Sequence, residues 1–341
     1  MPKAKFTLIT LDYPPNQGGV ARYLGNLVDE SDGEIAVVDA SKLTRGAWPT
    51  WWPMVRACRC AEGVILVSQV FPVGTAAWVS RLMGGPEYVV IFHGLDVRLV
   101  RGVWKRWLLR RICAKAKALV ANSEATKADV LKLVPGSRMT VMTPGIEKGK
   151  LPTKQEARRQ LEIDPTEQVV LSIARLIPRK GIDVALRVMG RIQHQQPVSY
   201  VVIGDGADLG RLEEIAEESR TSVRWLRDAK DDEKWLWLCA SDVFLLPVRD
   251  EGDDVEGFGI VFLEAAKAGI PSVAGKSGGA VEAVRNERTG LVVKPTDVDA
   301  VEQAVEKLLQ DPELRQRLGD EGRQLEHDYR WEDRWKMLQS L

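Results

Sequence analysis

Twelve short apolar runs alternate along the chain with stretches of helical periodicity. The runs are short and β-branched and are bounded by Gly, Pro, Asn or Asp, and several are apolar at nearly every position. Such runs indicate strands that are covered on both faces of a parallel sheet. They lie at 6–10, 35–40, 64–68, 88–92, 118–121 and 139–143, and then at 169–174, 200–204, 223–226, 243–246, 271–274 and 291–293. The pattern predicts the α/β class, with two Rossmann-like domains built on parallel sheets.

A polar stretch at 147–167 separates the two halves. It contains Pro152, Pro165 and one short helical candidate at 154–161. We therefore place the first domain at 1–150 and the second at 151–328, followed by a terminal segment at 329–341. Ligands of such sheets bind beyond the carboxyl ends of the strands, so two facing sheets would form an interdomain cleft.

The composition favours a cytoplasmic protein with reduced thiols. The chain has 341 residues, 45% hydrophobic and 28% charged, which is enough for two cores. No stretch approaches the roughly 20 apolar residues that cross a bilayer, and the first residues lack the apolar core of a signal peptide. The four cysteines show neither a disulfide framework nor zinc spacing.

The formal net charge of zero conceals an asymmetry. Residues 1–150 contain 21 Lys and Arg against 12 Asp and Glu, whereas residues 151–341 contain 27 against 36. A basic first half indicates that this half meets an anionic partner. Nucleic acid is not expected, because the chain has no recognition motif and a near-neutral pI.

Two loops in the first half follow predicted strands and carry candidate site residues. Gly18 and Gly19 open a helix whose amides can approach a phosphate, although the pattern is not G-x-G-x-x-G. Of three histidines, only His93 leaves a buried strand into the predicted cleft, where it would exchange a hydrogen bond with a sugar hydroxyl. A lone histidine is usually structural. Asp96 would either contact an acceptor or cap the following helix.

The loop after the first strand of the second half contains Arg175 and Lys180. Two cations in one loop suit a diphosphate, both for binding and for stabilising it as a leaving group. Arg179 either shares this work or is a solvated surface charge. After the next strand, Gly204 begins a tight turn, which is either a plain turn or a surface for a ribose or base.

The stretch from Glu256 to Glu264 carries two carboxylates at the two ends of a glycine turn and the opening of an apolar helix. On one helix they would lie about 12 Å apart and about 80° apart around the axis. That is a poor arrangement for a glycoside hydrolase, whose carboxyls face each other across about 5–9.5 Å. It suits carboxylates that bind separate hydroxyl groups of one long ligand. The acidic run at 250–254 is expected to be a solvated loop rather than a metal site.

In their order along the chain, these motifs resemble the family-4 retaining glycosyltransferases of GT-B fold. Ser277-Gly-Gly279 with Glu282, and Trp331 in the last helix, extend the resemblance to essentially the whole chain. The stretch at 254–265 and the Tyr-Pro-Pro…Gly-Gly-Val loop at 13–20 look most like the phosphatidylinositol mannosyltransferase branch. That branch uses GDP-mannose.

The resemblance implies metal-independent, retaining transfer of a hexose from a nucleotide-sugar donor to a lipid-linked or glycan acceptor, without a cofactor. Arg175 and Lys180 would hold the donor diphosphate, Glu256 the sugar hydroxyls and Glu264 the ribose, and the terminal helix would cross back to the first domain. The expected catalytic set is His93, Arg175, Lys180 and Glu256. The expected donor-binding set is Gly18, Gly19, Gly204, Gly257, Phe258, Gly259, Ile260 and Glu264.

Some positions depart from the family pattern. Ala174 and Arg227 stand where glycine is common, and the segment at 143–147 lacks the usual Asn. Arg227 lies near the expected base pocket, so a UDP-sugar-dependent transferase stays open beside the GDP-mannose enzyme. A sugar-nucleotide epimerase or hydrolase stays open as well, as does a non-catalytic nucleotide-sugar-binding module. The joint presence of Arg175, Lys180, Glu256 and Glu264 argues against a non-catalytic module.

The segment at 98–117 contains eight basic residues and no acidic one, with Trp104 and Trp107 among them. Such a segment can lie on an anionic membrane or face an anionic lipid-linked acceptor. The candidate acceptor or membrane contacts are Asp96, Arg101, Trp104, Lys105 and Arg106, and a second aromatic patch contains Trp48, Trp51 and Trp52. Alternatively, the tryptophans belong to the core and the cations to a solvated face. Peripheral contact would occur at the inner face of the membrane.

Overall fold

The computed structural model describes residues 4–16, 18–43, 51–98 and 100–341. They form two compact units, one of Met1–Gly145 with Arg330–Leu341 and one of Ile146–Tyr329. Each unit has a core of its own around a sheet.

In the described residues of the first unit, six strands alternate with six α-helices before the chain enters the second unit. The strands are β1 (Phe6–Thr10), β2 (Ile35–Asp39), β3 (Val64–Val67), β4 (Tyr88–Phe92), β5 (Ala118–Ala121) and β6 (Thr140–Val141). The helices are α1 (Gly19–Glu30), α2 (Trp52–Cys60), α3 (Thr75–Leu82), α4 (Leu95–Arg98), α5 (Val103–Lys115) and α6 (Glu124–Leu133). All residues of β1 and β4 are buried, as their continuous apolar character predicted.

The second unit repeats this alternation. Its strands are β7 (Gln168–Ile173), β8 (Val198–Ile203), β9 (Val223–Leu226), β10 (Val243–Leu246), β11 (Ser272–Gly275) and β12 (Gly290–Val293). Its helices are α7 (Lys154–Gln160), α8 (Ile182–Gln193), α9 (Leu209–Glu218), α10 (Asp231–Ala240), α11 (Ile260–Ala268), α12 (Ala280–Ala283), α13 (Val298–Gln310) and α14 (Pro312–Gln324).

Both sheets have six parallel strands, which confirms the predicted α/β class. The orders are β2-β1-β3-β4-β5-β6 and β12-β11-β10-β7-β8-β9. In the second sheet, β7 pairs with both β8 and β10, so the strand order reverses between β7 and β10. Ligands of open α/β sheets bind at such a reversal, beyond the carboxyl ends of the strands. The loops after β7 and β10 therefore occupy the expected ligand position of this unit.

A buried ion pair lies at the opposite edge of the second sheet, where the strands begin, and connects helix α7 to that edge. Arg158 is 6% exposed and donates to the carboxylate of Asp242 at 2.9 Å and to the carbonyl of Ala240 at 2.9 Å. The same carboxylate accepts the amide of Val169 at 2.9 Å. These hydrogen bonds attach helix α7 to the amino-terminal ends of β7 and β10.

The last helix, α15 (Trp331–Gln339), belongs to the first unit. Trp335 packs edge-on against Phe6 at 5.6 Å, and Arg334 donates to the hydroxyl of Thr143 at 2.7 Å. Trp331 lies over Gly145, where an added Cβ would come within 2.7 Å of the indole ring. In the part of the chain that the structure describes, no helix is long and apolar enough to cross a membrane.

Candidate active site

Three charged side chains meet where the loops after β7 and β10 come together. The ammonium group of Lys180 lies 2.5 Å from Glu256 Oε2, and the Arg179 guanidinium donates to the same oxygen at 2.6 Å. The exposed fractions of these side chains are 12%, 11% and 9% for Lys180, Arg179 and Glu256. Arg179 is therefore part of the cluster, and the interpretation of it as a solvated surface charge is wrong.

The loop that carries the two cations is held in place by its backbone. Pro178–Lys180 form one 3₁₀ turn, and Gly181 follows with φ +71°. A Cβ at Gly181 would lie 2.1 Å from the carbonyl oxygen of Pro247, so only glycine allows this approach. The amide of Arg249 donates to the carbonyl of Arg179 at 2.8 Å. These contacts attach the loop after β7 to the loop after β10.

The cluster keeps Glu256 ionised. Burial alone would raise the pKa of Glu256, but Lys180 and Arg179 outweigh it and lower this pKa to about 2. Burial lowers the pKa of Lys180, with Glu256 opposing and the guanidinium groups of Arg179 and Arg175 adding to the decrease. Arg175 itself is exposed at the end of β7. A carboxylate that is always charged accepts hydrogen bonds and cannot act as an acid near neutral pH.

Glycines allow two loops to pack around Glu256. Gly259 has φ +87° and directly precedes α11, so the first amides of that helix lie beside the Glu256 turn. A Cβ at Gly278 would lie 2.0 Å from the carbonyl oxygen of Glu256, and one at Gly279 would lie 2.3 Å from that of Gly257. The amide of Gly279 donates to the Glu256 carbonyl at 2.9 Å. The predicted Ser277-Gly-Gly279 motif thus supports the backbone of the Glu256 turn.

Glu264 does not join this cluster. It lies inside α11 and accepts a hydrogen bond from Lys234 at 3.0 Å, with both side chains at most 8% exposed. Lys234 was absent from the predicted site. The one signal for it in the sequence is its position directly before the apolar run at 235–239.

The turn after β8 has a steric need for glycine. Gly204 has φ +134°, and a Cβ there would lie 2.0 Å from the carbonyl oxygen of Ala174. Beside it, Asp205 forms an ion pair with Arg227 at 3.0 Å, and both side chains are about half exposed. Arg227, one of the residues that depart from the family pattern, thus forms an ion pair at the carboxyl ends of β8 and β9.

In the first unit, three buried polar atoms lie at the carboxyl ends of β4 and β5. They are His93 Nε2, Asp96 Oδ2 and Asn122 Oδ1, and within the described ranges none has a hydrogen-bond partner. Asn122 directly follows β5 and donates to the carbonyl of His93 at 3.4 Å. Buried polar atoms are normally paired, so these three are unsatisfied hydrogen-bonding groups at the ends of β4 and β5. Asn122 was not predicted, although it follows a buried strand as His93 does.

The electrostatics of this group follow from burial. Burial lowers the pKa of His93 to about 4, so the imidazole is neutral at pH 7. Burial raises the pKa of Asp96 to about 7, against hydrogen bonds from backbone amides. Asp96 Oδ1 accepts the amides of His93 and Gly94 at 3.2 and 3.0 Å. Asp96 Oδ1 thus stabilises the turn that follows β4, while Asp96 Oδ2 has no hydrogen-bond partner in the described structure.

The glycine pair after β1 lies at the start of α1. Gly18 directly precedes the helix, Gly19 is its first residue, and both are exposed. Gly18 has an extended φ of 170°, and a Cβ there would come no closer than 3.9 Å to Asp12. Glycine at position 18 is therefore not demanded by the fold of this unit.

Family models match both units. The model described as glycosyl transferases group 1 matches residues 153–325, just over half of the chain, and the model for glycosyltransferase family 4 matches residues 34–149. The chain therefore belongs to the family of glycosyl transferases group 1.

Relatives with assigned activities are similar over nearly the whole chain. A GDP-mannose-dependent monoacylated alpha-(1-6)-phosphatidylinositol monomannoside mannosyltransferase from Corynebacterium glutamicum is 29% identical, over 96% of this chain and 95% of its own. A GDP-mannose-dependent alpha-(1-6)-phosphatidylinositol monomannoside mannosyltransferase from Mycolicibacterium smegmatis is also 29% identical, over 98% and 97%.

Solved structures share the fold. A sucrose-phosphate synthase from Thermosynechococcus elongatus superposes with a TM-score of 0.85, covering 99% of this chain and 98% of that one, with 20% identical residues. The two Rossmann-like units of this glycosyltransferase thus have the GT-B fold that the sequence predicted.

Helix α5 of the glycosyltransferase carries an aromatic and basic surface. Trp104 is 68% exposed and stacks on Trp107 with ring centroids 4.9 Å apart. Arg111 lies over Trp107 at 5.4 Å. The alternative assignment of the tryptophans to the core is therefore wrong for Trp104. Trp51 and Trp52 are each 47% exposed, whereas Trp48 lies outside the described residues.

Proposed function

We propose that this chain transfers mannose from GDP-mannose to a lipid-linked acceptor of the phosphatidylinositol mannoside kind, with retention of anomeric configuration and without a metal ion. The observation that carries the proposal is the buried cluster of Lys180, Arg179 and Glu256, at the strand-order reversal of a family member. The named activities of two relatives that align over nearly the full chain support the choice of donor and acceptor.

Charge balance supports a diphosphate ligand. Arg175, Arg179 and Lys180 bring three positive charges, of which Glu256 and the half-buried Asp254 compensate two. Arg175 is exposed and has no ion pair in the described structure. A diphosphate would supply the missing negative charge, and the cations would stabilise it further as it departs. This is the work that a metal ion does in other phosphate-transfer sites.

Glu256 would bind the donor sugar while it stays charged. A carboxylate with a pKa of about 2 accepts hydrogen bonds from sugar hydroxyls throughout the physiological pH range. In the proposed front-face reaction, the bond from the anomeric carbon to the leaving phosphate breaks as the acceptor oxygen approaches on the same face. A phosphate oxygen takes the acceptor proton. The fixed charge of Glu256 would favour the cationic sugar that forms between these events.

The buried polar atoms of the first unit are candidates for hydroxyl recognition. Neutral His93 can donate or accept a hydrogen bond, and Asn122 Oδ1 can accept one. With a pKa of about 7, the Asp96 carboxyl can accept a further hydrogen bond at Oδ2 when it is ionised and donate one when it is protonated. Together they would bind a polyhydroxyl ring.

Peripheral membrane contact is proposed through α5. Val103 and Trp104 are 86% and 68% exposed, and Lys105 and Arg106 follow them directly. Exposed aromatic residues among cations favour an anionic bilayer surface. Flotation with anionic vesicles should be reduced for Trp104→Ser and unchanged for Lys132→Gln, an exposed change on α6. No flotation of the wild type at low salt would exclude the membrane surface.

The test of the donor is calorimetric binding of GDP and UDP to the wild type, Lys180→Ala and Lys307→Ala. Lys307 is an exposed lysine on α13 and serves as the matched control. GDP binding that is lost in Lys180→Ala alone is the expected result. A preference for UDP would favour the second candidate function, a UDP-sugar transferase. The observation in favour of that candidate is the ion pair of Arg227 with Asp205, which lies where the nucleotide base is expected to bind. Rapid donor turnover without any acceptor would instead indicate an epimerase or hydrolase.

A further inference from the structure

A cavity of about 480 Å³ with several charged side chains in its wall lies in the second unit, away from the donor loops. Its wall includes Asp242, which precedes β10, and Pro271, which precedes β11. The predicted donor residues instead follow the carboxyl ends of β7 and β10. The cavity is therefore at the opposite edge of the same sheet. The side chains that matter for its chemistry are Lys154, Asp242, Lys267, Arg315, Gln316 and Arg323.

Positive charge in this wall is not fully compensated. Lys267 is half buried, and its ammonium group is bonded to the backbone carbonyl of Glu147. Arg315 is also half buried, and one of its nitrogens donates to the carbonyls of Leu308 and Leu309, each at 2.6 Å. Neither cation has a carboxylate partner in the part of the chain that the structure describes. The backbone carbonyls accept hydrogen bonds from these two side chains, but they are neutral and do not compensate the positive charges.

The carboxylate of the wall is already shared. Asp242 pairs with Lys154 at 2.6 Å and with Arg158 at 2.9 Å, so two cations compete for one negative charge. Burial lowers the pKa of Lys154, and the positive charges of Arg158 and Arg315 lower it further. The negative charge of Asp242 raises this pKa and so opposes both effects. The cations of the wall thus lie close enough to repel one another, which an anion would relieve.

Arg323 completes the wall from the other side. Its guanidinium lies against Gly269, where a Cβ would come within 2.1 Å of the central carbon. Gly269 has φ +77° and ends α11, whose other end begins at the Glu256 turn. One helix of nine residues therefore joins this cavity to the predicted donor site.

We propose that this cavity binds a phosphorylated small molecule of about the size of a hexose phosphate. The volume falls within the range of ligand pockets, and Arg and Lys side chains with spare donors are the usual partners of phosphate oxygens. The proposal does not depend on the identity of the donor sugar, because the donor residues contribute nothing to this wall.

The test uses inorganic pyrophosphate as the probe, by isothermal titration calorimetry on the full chain. The variant Arg175→Ala/Lys180→Ala removes two of the three cations of the donor loop, so binding that survives in it and is weakened by changes in the cavity wall belongs to the cavity. We expect one pyrophosphate site to survive there. Adding Lys154→Gln and Lys267→Gln should weaken it by roughly tenfold for each lysine, as expected for the loss of a charge-assisted hydrogen bond.

The control is Arg159→Gln, which removes an exposed cation of α7 outside the cavity wall and should leave the affinity unchanged. Should the double lysine change unfold the chain, Gln316→Glu places a negative charge on the exposed wall and should weaken binding in a folded protein. The proposal is overturned if the donor-loop variant binds no pyrophosphate. It is equally overturned if the cavity variants bind as tightly as Arg159→Gln.

Discussion

Replacing Glu256 by Gln removes the negative charge from the buried cluster while keeping its shape. The amide still accepts a hydrogen bond, but Lys180 and Arg179 are left beside each other at less than 15% exposure with no carboxylate between them. Breaking a buried pair by removing one partner is strongly destabilising, because the remaining charge is uncompensated. We therefore expect Glu256→Gln to fold with lower stability than the wild type.

The magnitude follows from the pKa of Glu256. Its ordinary value is 4.5, and the cluster lowers it to about 2. Since one pKa unit corresponds to about 1.4 kcal/mol, the charged form contributes roughly 3 kcal/mol of folding free energy at neutral pH. Because the folded pKa is the lower one, this contribution is complete above pH 4.5 and is lost as the pH falls toward 2. By pH 3.5, one unit below the ordinary pKa, the loss should be about 1.4 kcal/mol.

The assay is native-state hydrogen exchange, followed by mass spectrometry on peptides that cover β7 and β10. It reports the opening free energy of the second unit within the full chain. Glu256→Gln should show a decrease of roughly 3 kcal/mol at pH 7, and the difference from the wild type should shrink between pH 5 and pH 3.5.

The matched control is Asp254→Asn. Asp254 pairs with the same Arg179 at 2.9 Å but is 39% exposed, so its removal should cost less than about 1 kcal/mol. Equal stability of Glu256→Gln and the wild type at pH 7 would refute the electrostatic account of the cluster. A destabilisation that is the same at every pH would show that packing rather than charge is responsible.

Three further predictions concern the same two units. Gly181→Ala should destabilise the second unit by more than about 1 kcal/mol, because the backbone has φ +71° and Pro247 leaves no room for a Cβ; an unchanged melting temperature would contradict this. NMR should show His93 neutral down to about pH 5, since burial lowers its pKa to about 4, and a titration midpoint near 6.5 would place it in solvent. Glu256→Ala should reduce sugar transfer far more than binding of the nucleoside diphosphate, and equal losses would move Glu256 to another part of the donor.

Most of the fold was predictable because buried parallel strands leave a local signature. Continuous apolar character marked β1 and β4, which are buried along their whole length. The edge strand β6 was less well predicted, since the run at 139–143 pairs only over Thr140–Val141. An edge strand has one neighbour, so fewer of its residues need to pair. Strand order was not readable from the sequence, because pairing depends on crossovers.

The candidate site was predicted in part. His93 was singled out because it directly follows a buried strand, Lys180 because it shares a loop with Arg175, and Glu256 because it begins a glycine turn before an apolar helix. Asn122 was missed although it occupies the same kind of position, and Lys234 was missed because nothing in its local pattern identifies its partner Glu264. The role of Arg179 stayed open between two interpretations until its burial was known.

The sequence by itself determined the two α/β halves, the loops that carry chemistry and the resemblance to a glycosyltransferase family, since each depends on neighbours along the chain. Only the tertiary structure decided which charges meet. Glu256 is 76 residues from Lys180, yet their side-chain atoms are 2.5 Å apart. The cationic cavity likewise joins Lys154, Lys267 and Arg315 from three separate helices. Charge compensation and burial depend on the tertiary structure, because packing brings loops that are distant in sequence together in a buried region of low dielectric constant.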